Sequence, residues 1–350
     1  MKILSIETSC DETAISIIEC EGELPLPKFK VLANSLLSQI EIHQKYGGVY
    51  PMLAKREHIK NLPILLEKTL REAKENDPKF EVEEIDFIAV TRGPGLEPAL
   101  WTGITFAEEL GKKWGKRVIP VNHMEGHLFS FLFDTKEMVS FPAIALLVSG
   151  GHTELVLMES FEKYKVIGKT RDDAVGEAFD KTARLLGLPY PGGPEISKLA
   201  EENRKNYKES KIKLPTPMIK SGDFDFSYSG LKTSVLYLLK KLGEVSEETK
   251  QEIARAFEDS AIAPLIEKTK KTIEEHGARS IIVGGGVSAN KHLQRELGIL
   301  GDNYQIPVYL PNPLLTTDNA VMIAMAGYIR LITNRVEELE PIKAEGRLDL

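Results

Sequence analysis

The chain has 350 residues, enough for two domains, with 42% apolar and 28% charged residues, an ordinary balance for a globular protein. A formal net charge of −7 excludes a broadly basic surface, so any RNA contact needs a local patch or a partner's surface. With only two cysteines, Cys10 and Cys20, a disulfide framework is excluded. No apolar run reaches the roughly 18 residues of a membrane span, and the N-terminus lacks the long apolar run of a signal peptide. We therefore expect a cytoplasmic protein with no membrane contact.

The first half of the chain alternates predicted strands and helices. Two apolar runs separated by the polar turn ETSCDET predict a hairpin. An amphipathic helix follows, then a buried strand and a loop rich in glycine and proline. We predict strands at 2–7, 14–18, 86–90 and 118–121, and helices at 54–72 (with Ile59, Leu62, Leu66 and Leu70 on one face), at 101–114 and from residue 122.

The second half repeats this opening near Phe141, with an apolar strand, the polar turn SGGH and a returning strand. We predict strands at 143–148, 153–158 and 280–283, helices at 176–186, 247–276 and 317–332, a helix opened by the glycine loop at 284–286, and an exposed charged segment at 198–213. The alternation indicates the α/β class. The recurrence predicts two similar domains facing a central cleft: residues 1–140, with the C-terminal segment 316–350 packed on them, and residues 141–315.

Two histidines in the segment HMEGH are candidate metal ligands. His123 and His127 are four residues apart, so a helix places both imidazoles on one face, within reach of one ion. Asp318, at a predicted helix start, is a candidate third ligand; its other interpretation is an N-cap aspartate, which local sequence favours. For the histidines, the alternative is an ordinary helix-surface or core pair. Glu125 does not stand where the HExxH motif has its general base.

Glycine-rich turns and acidic residues supply further candidates. Ser149, Gly150 and Gly151 form a turn whose amides suit a phosphate, or a plain hairpin turn, and the glycines at 284–286 suit nucleotide binding or close helix packing. Asp11 and Glu12 are candidates to orient a metal or a water, or they are ordinary turn residues that cap the turn or face solvent. A solvated helix face is the first interpretation of Asp172, Asp173, Glu177 and Asp180, and also of the basic residues Arg204, Lys205, Lys208, Lys211, Lys213 and Lys220.

Ten segments together resemble one family over nearly the whole chain. They are IETSCDETA, HQKYGGVYPMLAKREH, TRGPGL, HMEGHL, ALLVSGGHTEL, DDAVGEAFDKTARLLGLPYPGGP, FSYSGLKT, IARAFEDS, GGGVSAN and TDNAVMIA, which follow one another in this order. The chain resembles the TsaD type, the bacterial branch of the Kae/Qri/TsaD family. Tyr50, Pro98, Asn122 and Ser197 depart from the common bacterial pattern, and the two histidines are intact.

The resemblance implies a fold, an activity and a site. The fold is the duplicated actin-like and sugar-kinase-like (ribonuclease H-like) architecture. The activity is transfer of threonylcarbamoyl from threonylcarbamoyl-AMP to N6 of the adenosine 3′ of the anticodon, in tRNAs that read codons beginning with A. The resemblance implies one divalent metal, iron or zinc, held by His123, His127 and Asp318. It places the adenylate along Leu147, Val148, Ser149, Gly150, Gly151, Asp180, Gly193 and Asn290.

The resemblance also implies partners, and the residues leave two other functions open. The partners are tRNA, a paralogous TsaB-type subunit and a small TsaE-type ATPase. The first alternative is a glycoprotein metalloprotease, suggested by the histidine pair. The second is an ATP-binding chaperone-like or kinase-like module of the same superfold, since fold does not determine function.

Overall fold

Buried strands and helices alternate along the chain. The computed structural model describes residues 1–207, 209–336 and 341–350. The strands in these residues are β1 Lys2–Glu7, β2 Glu12–Glu21, β3 Lys28–Ser38, β4 Ile85–Gly93, β5 Arg117–Asn122, β6 Ala143–Val148, β7 Thr153–Met158, β8 Tyr164–Lys169, β9 Ser280–Gly284 and β10 Val308–Tyr309. The α-helices are α1 Ile40–Gln44, α2 Pro51–Asn76, α3 Glu97–Trp114, α4 His123–Phe129, α5 Val175–Leu185, α6 Gly192–Asn206, α7 Ser229–Leu242, α8 Glu247–His276, α9 Lys291–Tyr304 and α10 Ala320–Ile332.

The chain divides into two units, and each contains one five-stranded sheet. Unit 1 comprises Met1–Met138 and Pro311–Leu350, and unit 2 comprises Val139–Leu310. The sheet of unit 1 has the order β3-β2-β1-β4-β5; β1, β2 and β3 are antiparallel neighbours, and β4 and β5 run parallel to β1. Unit 2 repeats this topology in the order β8-β7-β6-β9-β10. The predicted α/β class and the internal duplication are therefore confirmed.

Helices cover the sheet of unit 1. Every side chain of β1 from Ile3 to Glu7 is buried, as expected for a central strand covered on both faces. The helices α2 and α3 pack on the sheet, as does α10, which lies against β1, β2 and β5. In unit 2, the long helix α8 buries Ile253, Phe257 and Leu265 in the core. Among the described residues, none of the helices combines the length and the apolar character that crossing a membrane requires.

Two predictions of local structure were wrong. Ile59 is not on the buried face of α2, because 56% of it is exposed, whereas the neighbouring His58 is buried and bonds to the main chain of Cys10. The segment 198–213 is not uniformly exposed, because its first part belongs to α6, where Asn203 is buried. The edge strands β3 and β8 were not predicted, since they are rich in polar residues and their pairing depends on neighbouring strands.

Candidate functional site

Two helices of unit 1 bring the predicted ligands together. The Asn122 side chain caps α4 by accepting a bond of 2.8 Å from the Met124 N–H, so the helix begins at His123. His123 and His127 are one turn apart, with ring centroids separated by 4.7 Å. Between them lies Gly126, where a Cβ atom would be 2.9 Å from Cγ of Met322 on α10. This glycine therefore permits the close approach of α10, and Asp318 lies in the segment just before that helix.

The three predicted ligands form one compact group. Oδ1 of Asp318 lies 3.4 Å from Nε2 of His123 and 3.2 Å from Nε2 of His127. One ligand atom from each residue falls within 4.8 Å of the others, a set that could hold a metal ion. The N-cap interpretation of Asp318 is wrong, because Asn319 accepts the capping bond from the Met322 N–H.

His127 has ring nitrogens without hydrogen bonds. It is fully buried, and its Nε2 faces Asp318 without the alignment of a hydrogen bond. Its Nδ1 has no hydrogen-bond partner within the described ranges. A buried imidazole normally has hydrogen-bond partners for both nitrogens. The ring of His127 therefore has a nitrogen available to coordinate a metal ion.

Glu7, which the sequence analysis did not single out, holds the other histidine. The last residue of β1, it is fully buried, and its Oε2 accepts a bond of 2.6 Å from the Thr91 hydroxyl. The same oxygen lies 3.1 Å from Nδ1 of His123, and the Ser9 N–H donates to Oε1. A carboxylate on the second nitrogen of a ligating histidine fixes its tautomer. The available signal was an acidic residue at the end of a mainly apolar strand.

The charges of this group favour a cation. Burial opposes protonation of His123, yet the carboxylates of Asp318 and Glu7 raise its pKa well above the usual value. Burial lowers the pKa of His127, so this ring is neutral. Burial alone would raise the pKa of Asp318, but His123 and His127 lower it far below its usual range. The buried carboxylate of Glu7 and the partly exposed carboxylate of Asp318 thus lie beside the imidazoles, and a proton on His123 supplies positive charge that a metal ion would replace.

Glu125 serves the structure of unit 1. Its carboxylate accepts hydrogen bonds from the guanidinium groups of Arg330 and Arg335, the latter at 3.0 Å. Glu125 and Arg330 are both buried. The acid between the two histidines is therefore engaged in an ion pair, and the geometry does not favour a metalloprotease base at this position.

The acidic turn after β1 lies beside the same group. Asp11 is 6% exposed, so it is not a solvated turn residue. The turn approaches His123 through Ser9, whose Oγ is 3.3 Å from Nδ1 of the ring. Burial raises the pKa of Glu12 well above its usual value, and the neighbouring Asp11 and Asp318 carboxyls add to the shift. A protonated Glu12 beside Asp11 forms a paired carboxyl group that can hold or accept a proton.

In unit 2, the predicted glycine turn joins β6 to β7. The side chains of Leu147 and Val148 are buried in β6, so only their main chain is available to a ligand. The Ser149 N–H donates to the His152 carbonyl, and the Gly151 N–H donates to Oγ of Ser149. In the described part of the chain, the Gly150 N–H has no such acceptor. Of the three main-chain N–H groups predicted to suit a phosphate, those of Ser149 and Gly151 already donate to groups of the turn. The Gly150 N–H is the one left for a ligand among the described residues.

A second glycine segment packs against this turn. Gly285 follows β9, which is parallel to β6, and has a positive φ of 88°. A Cβ atom at this position would be 2.4 Å from the Val148 carbonyl oxygen. The Gly176 N–H at the start of α5 donates to the Ser149 carbonyl at 3.2 Å. The glycines therefore pack main chain against main chain around the end of β6.

The remaining predicted adenylate residues are linked to the start of α6. Oδ1 of Asp180 accepts a bond of 2.6 Å from the Gly192 N–H, which places Asp180 next to Gly193. Asn290 donates to Oγ of Ser197 at 2.8 Å and to Oε1 of Glu258 at 2.7 Å. Glu258 is 1% exposed and was also missed by the sequence analysis.

Some of the predicted surface charges have structural partners. Asp172 is exposed, as predicted, and also accepts hydrogen bonds from Ser227, Tyr228 and Ser229 at the start of α7. Arg204 pairs with Glu201, Glu258 and Asp259, so it is not a solvated basic residue. Lys205, Lys211, Lys213 and Lys220 are exposed, and Lys208 lies outside the described residues.

Comparisons with known proteins agree with this geometry. A family model described as TsaD, tRNA N6-adenosine threonylcarbamoyltransferase, matches residues 30–325. Proteins with that name from Thermosipho africanus and Persephonella marina are each 44% identical to the chain; the alignments cover 94% of this chain in both cases, and 94% and 90% of the relatives.

Solved structures resemble the chain in fold, at sequence identities too low to indicate a shared function. The HypF of T. kodakarensis matches 95% of this chain and 48% of its own, with a TM-score of 0.58 and 12% identity. Component A of the Acidaminococcus fermentans (R)-2-hydroxyglutaryl-CoA dehydratase matches 95% of this chain and 99% of its own, with a TM-score of 0.52 and 14% identity. The predicted actin-like and sugar-kinase-like fold class is confirmed.

Proposed function

Because the chain belongs to the family of tRNA N6-adenosine threonylcarbamoyltransferases, we propose that it takes threonylcarbamoyl from threonylcarbamoyl-AMP and modifies the adenosine 3′ of the anticodon in tRNAs that read codons beginning with A. The chain is a transferase whose substrate is tRNA. The protease and chaperone-like or kinase-like alternatives are not favoured, since the family match covers most of the chain.

The observation that carries the mechanism is the group of His123, His127 and Asp318. We assign to these residues one divalent ion, iron or zinc. Three features support this assignment: the close ligand atoms, the orphaned ring of His127 and the carboxylate behind His123. Two imidazoles and one carboxylate suit such ions and leave coordination positions open. When bound, the metal would supply a Lewis acid for the carbonyl group of the donor.

The residues of unit 2 would hold the adenylate. Threonylcarbamoyl-AMP is a mixed anhydride, so its carbonyl is already activated and the enzyme has mainly to position it. We assign the Gly150 N–H to the phosphate, because this amide has no acceptor among the described residues. Asp180, Gly193 and Asn290 would border the nucleoside. The amide group of Asn290 already bonds to Ser197 and Glu258, so Asn290 would act mainly by fixing the start of α9.

The acidic turn would manage the proton of the attacking amine. When N6 forms its bond to the carbonyl carbon, the bond from that carbon to the phosphate oxygen breaks and AMP leaves. The amine also loses one proton. We assign this proton to the Asp11 carboxylate, which Glu12 supports by donating a hydrogen bond in its protonated form.

The proposed partners are a TsaB-type subunit and a TsaE-type ATPase, with a separate enzyme that makes the adenylate, and the proposed location is the cytoplasm. The net charge of −7 supports the need for partners, because tRNA is not attracted to the chain as a whole.

The experiment that tests the proposal measures transfer of labelled threonine to tRNA. The reaction contains ATP, bicarbonate, the adenylate-forming enzyme and the two partners. Wild type is compared with His127→Ala and with a control, His276→Ala, at a half-buried histidine at the end of α8. We expect label in tRNA with wild type and the control, and none with His127→Ala. Equal labelling by His127→Ala would refute the metal site, and no labelling by wild type would refute the activity.

A further inference from the structure

Three buried polar side chains form a hydrogen-bonded network next to the acidic turn: the first and last residues of the motif HQKYGGVYPMLAKREH, and Gln39, which precedes it. His43, Gln39 and His58 are all at most 1% exposed. Nε2 of His43 lies 3.0 Å from Oε1 of Gln39, and Nε2 of Gln39 lies 3.4 Å from Nδ1 of His58. The mechanism proposed above uses none of these three residues.

The partners at each end fix where the protons lie. Nε2 of His58 is 2.9 Å from the Cys10 carbonyl, which only accepts, so this nitrogen carries the proton. Nδ1 of His58 therefore accepts, from Gln39 and from the Thr13 hydroxyl at 2.8 Å. Nδ1 of His43 accepts from the Tyr50 N–H at 3.3 Å, so its Nε2 donates to Gln39.

Both rings are satisfied in the neutral form. Burial lowers the pKa of His43 and of His58, which agrees with this assignment. A buried polar network contributes less stability than an apolar core of the same volume unless every member is paired. The network contributes precise positioning of its side chains, because the donor and the acceptor of each hydrogen bond are fixed.

The network ends on two successive carbonyl groups of the acidic turn. His58 donates to the Cys10 carbonyl, and the main-chain N–H of Gln39 donates to the Asp11 carbonyl at 3.0 Å. On its other side, the turn reaches His123 through Ser9. The turn that carries Asp11 and Glu12 is thus held between the candidate metal group and the histidine network.

We propose that His58 and Gln39 are positioning residues for the transfer reaction, which hold the Cys10–Glu12 turn so that its carboxyl groups meet the attacking amine. This inference rests on the proposed function and on the role given there to Asp11. The network touches only the main chain of the turn, so it acts through the carboxyl groups and not on the substrate.

The first test compares turnover in two variants of His58. His58→Phe keeps the volume of the ring and removes its hydrogen bonds, and we expect kcat to fall by about 10- to 100-fold, the size of effect produced by a misplacement of about 1 Å. The KM for tRNA should stay within about twofold, because no substrate contact is lost. His58→Gln can still donate to the Cys10 carbonyl and should recover part of the loss.

A matched control separates positioning from general damage to α2. Thr69 is buried on the same helix and bonds to the Leu65 carbonyl at 2.7 Å, away from the turn. Thr69→Val should lower thermal stability without lowering kcat. If His58→Phe does not fold, Gln39→Leu removes the side-chain bond from Gln39 to Nδ1 of His58, which orients the ring, and should also lower kcat. Wild-type kcat in folded His58→Phe or Gln39→Leu would overturn the inference.

A double-mutant cycle gives the decisive readout. If His58 acts through Asp11, His58→Phe should cause little further loss in an Asp11→Asn background, because the group that it positions is already gone. Losses that multiply would overturn the inference while leaving the proposed function intact. Failure of wild type in the same assay would instead refute the proposed function, and this inference with it.

Discussion

Replacing Glu7 by glutamine tests whether the buried carboxylate prepares His123 for a metal. The carboxylate faces three donors: the Ser9 N–H, the Thr91 hydroxyl and Nδ1 of His123. A glutamine has one acceptor oxygen, so its NH₂ group must replace one carboxylate oxygen. If the NH₂ group faces His123, Nδ1 has to accept and the proton moves to Nε2, the nitrogen that faces Asp318. A protonated Nε2 cannot bind a metal.

The other orientation of the glutamine is also unfavourable. The NH₂ group then faces the Ser9 N–H, and this unsatisfied pair of donors costs about 1–3 kcal/mol. Losing the outer partner of a ligating histidine lowers metal affinity by about 10- to 100-fold, equivalent to about 1.4–2.7 kcal/mol. We expect Glu7→Gln to fall in this range, and His127→Ala, which removes a ligand, to lose more.

The assay is a calorimetric titration of the metal-free protein with Zn²⁺, and with Fe²⁺ under anaerobic conditions. Glu109→Gln, which removes the same charge at an exposed position on α3, is the control and should bind as wild type does. If Glu7→Gln binds as tightly as wild type while His127→Ala does not bind, Glu7 does not orient His123 and the reasoning above is refuted.

Three further predictions concern other contacts. Glu125→Gln should bind metal normally but lower the unfolding free energy by about 3–5 kcal/mol in denaturant titrations, because it removes the negative charge that pairs with the buried Arg330; lost metal binding would contradict this. Gly285→Ala should cost about 1–3 kcal/mol in stability and weaken AMP binding by calorimetry, because its φ is 88° and a Cβ would meet the Val148 carbonyl. Hydrogen bonding to Arg295 lowers the pKa of Glu201 from 4.5 to about 2, so its contribution is present above the unfolded pKa and disappears as the pH falls through about 2. For this largely exposed pair, wild type should exceed Glu201→Gln by only about 1 kcal/mol at neutral pH, and a difference that grows in acid would contradict the sign.

The sequence predicted the members of the site better than their roles. The spacing of His123 and His127 identified the pair because a helix brings residues four apart together. Asp318 is 191 residues beyond His127, and its local sequence favoured a cap, because an N-cap and a ligand are both polar residues before a helix. The structure excludes the cap, because Asn319 has that role, and leaves the ligand as the interpretation that the geometry allows.

Positioning residues were missed because their partners are distant in sequence. Glu7 meets Thr91 and His123, and Glu258 meets Asn290 and Arg204, so no local pattern marks either residue. In the sequence, such contacts are indicated only by an acidic residue in a mainly apolar strand or within a long helix. For the same reason Arg204 was grouped with exposed lysines, since its burial depends on α8.

The duplicated topology explains why both sets of candidate residues occur where they do. Parallel strands bring their carboxyl ends to one edge of a sheet, and α/β proteins bind ligands at that edge. In unit 1, β1, β4 and β5 are parallel, and they lead into the acidic turn, the TRGPGL loop and the histidine helix.

In unit 2, the parallel strands β6 and β9 lead into the SGGH turn and the glycines from residue 284. Glu7 and Val148 are the last residues of the corresponding strands β1 and β6. The same structural position thus supplies a carboxylate behind a histidine in one unit and main-chain amides beside glycines in the other. This strand end therefore suits a cation in unit 1 and an anion in unit 2, because the residues that follow it differ.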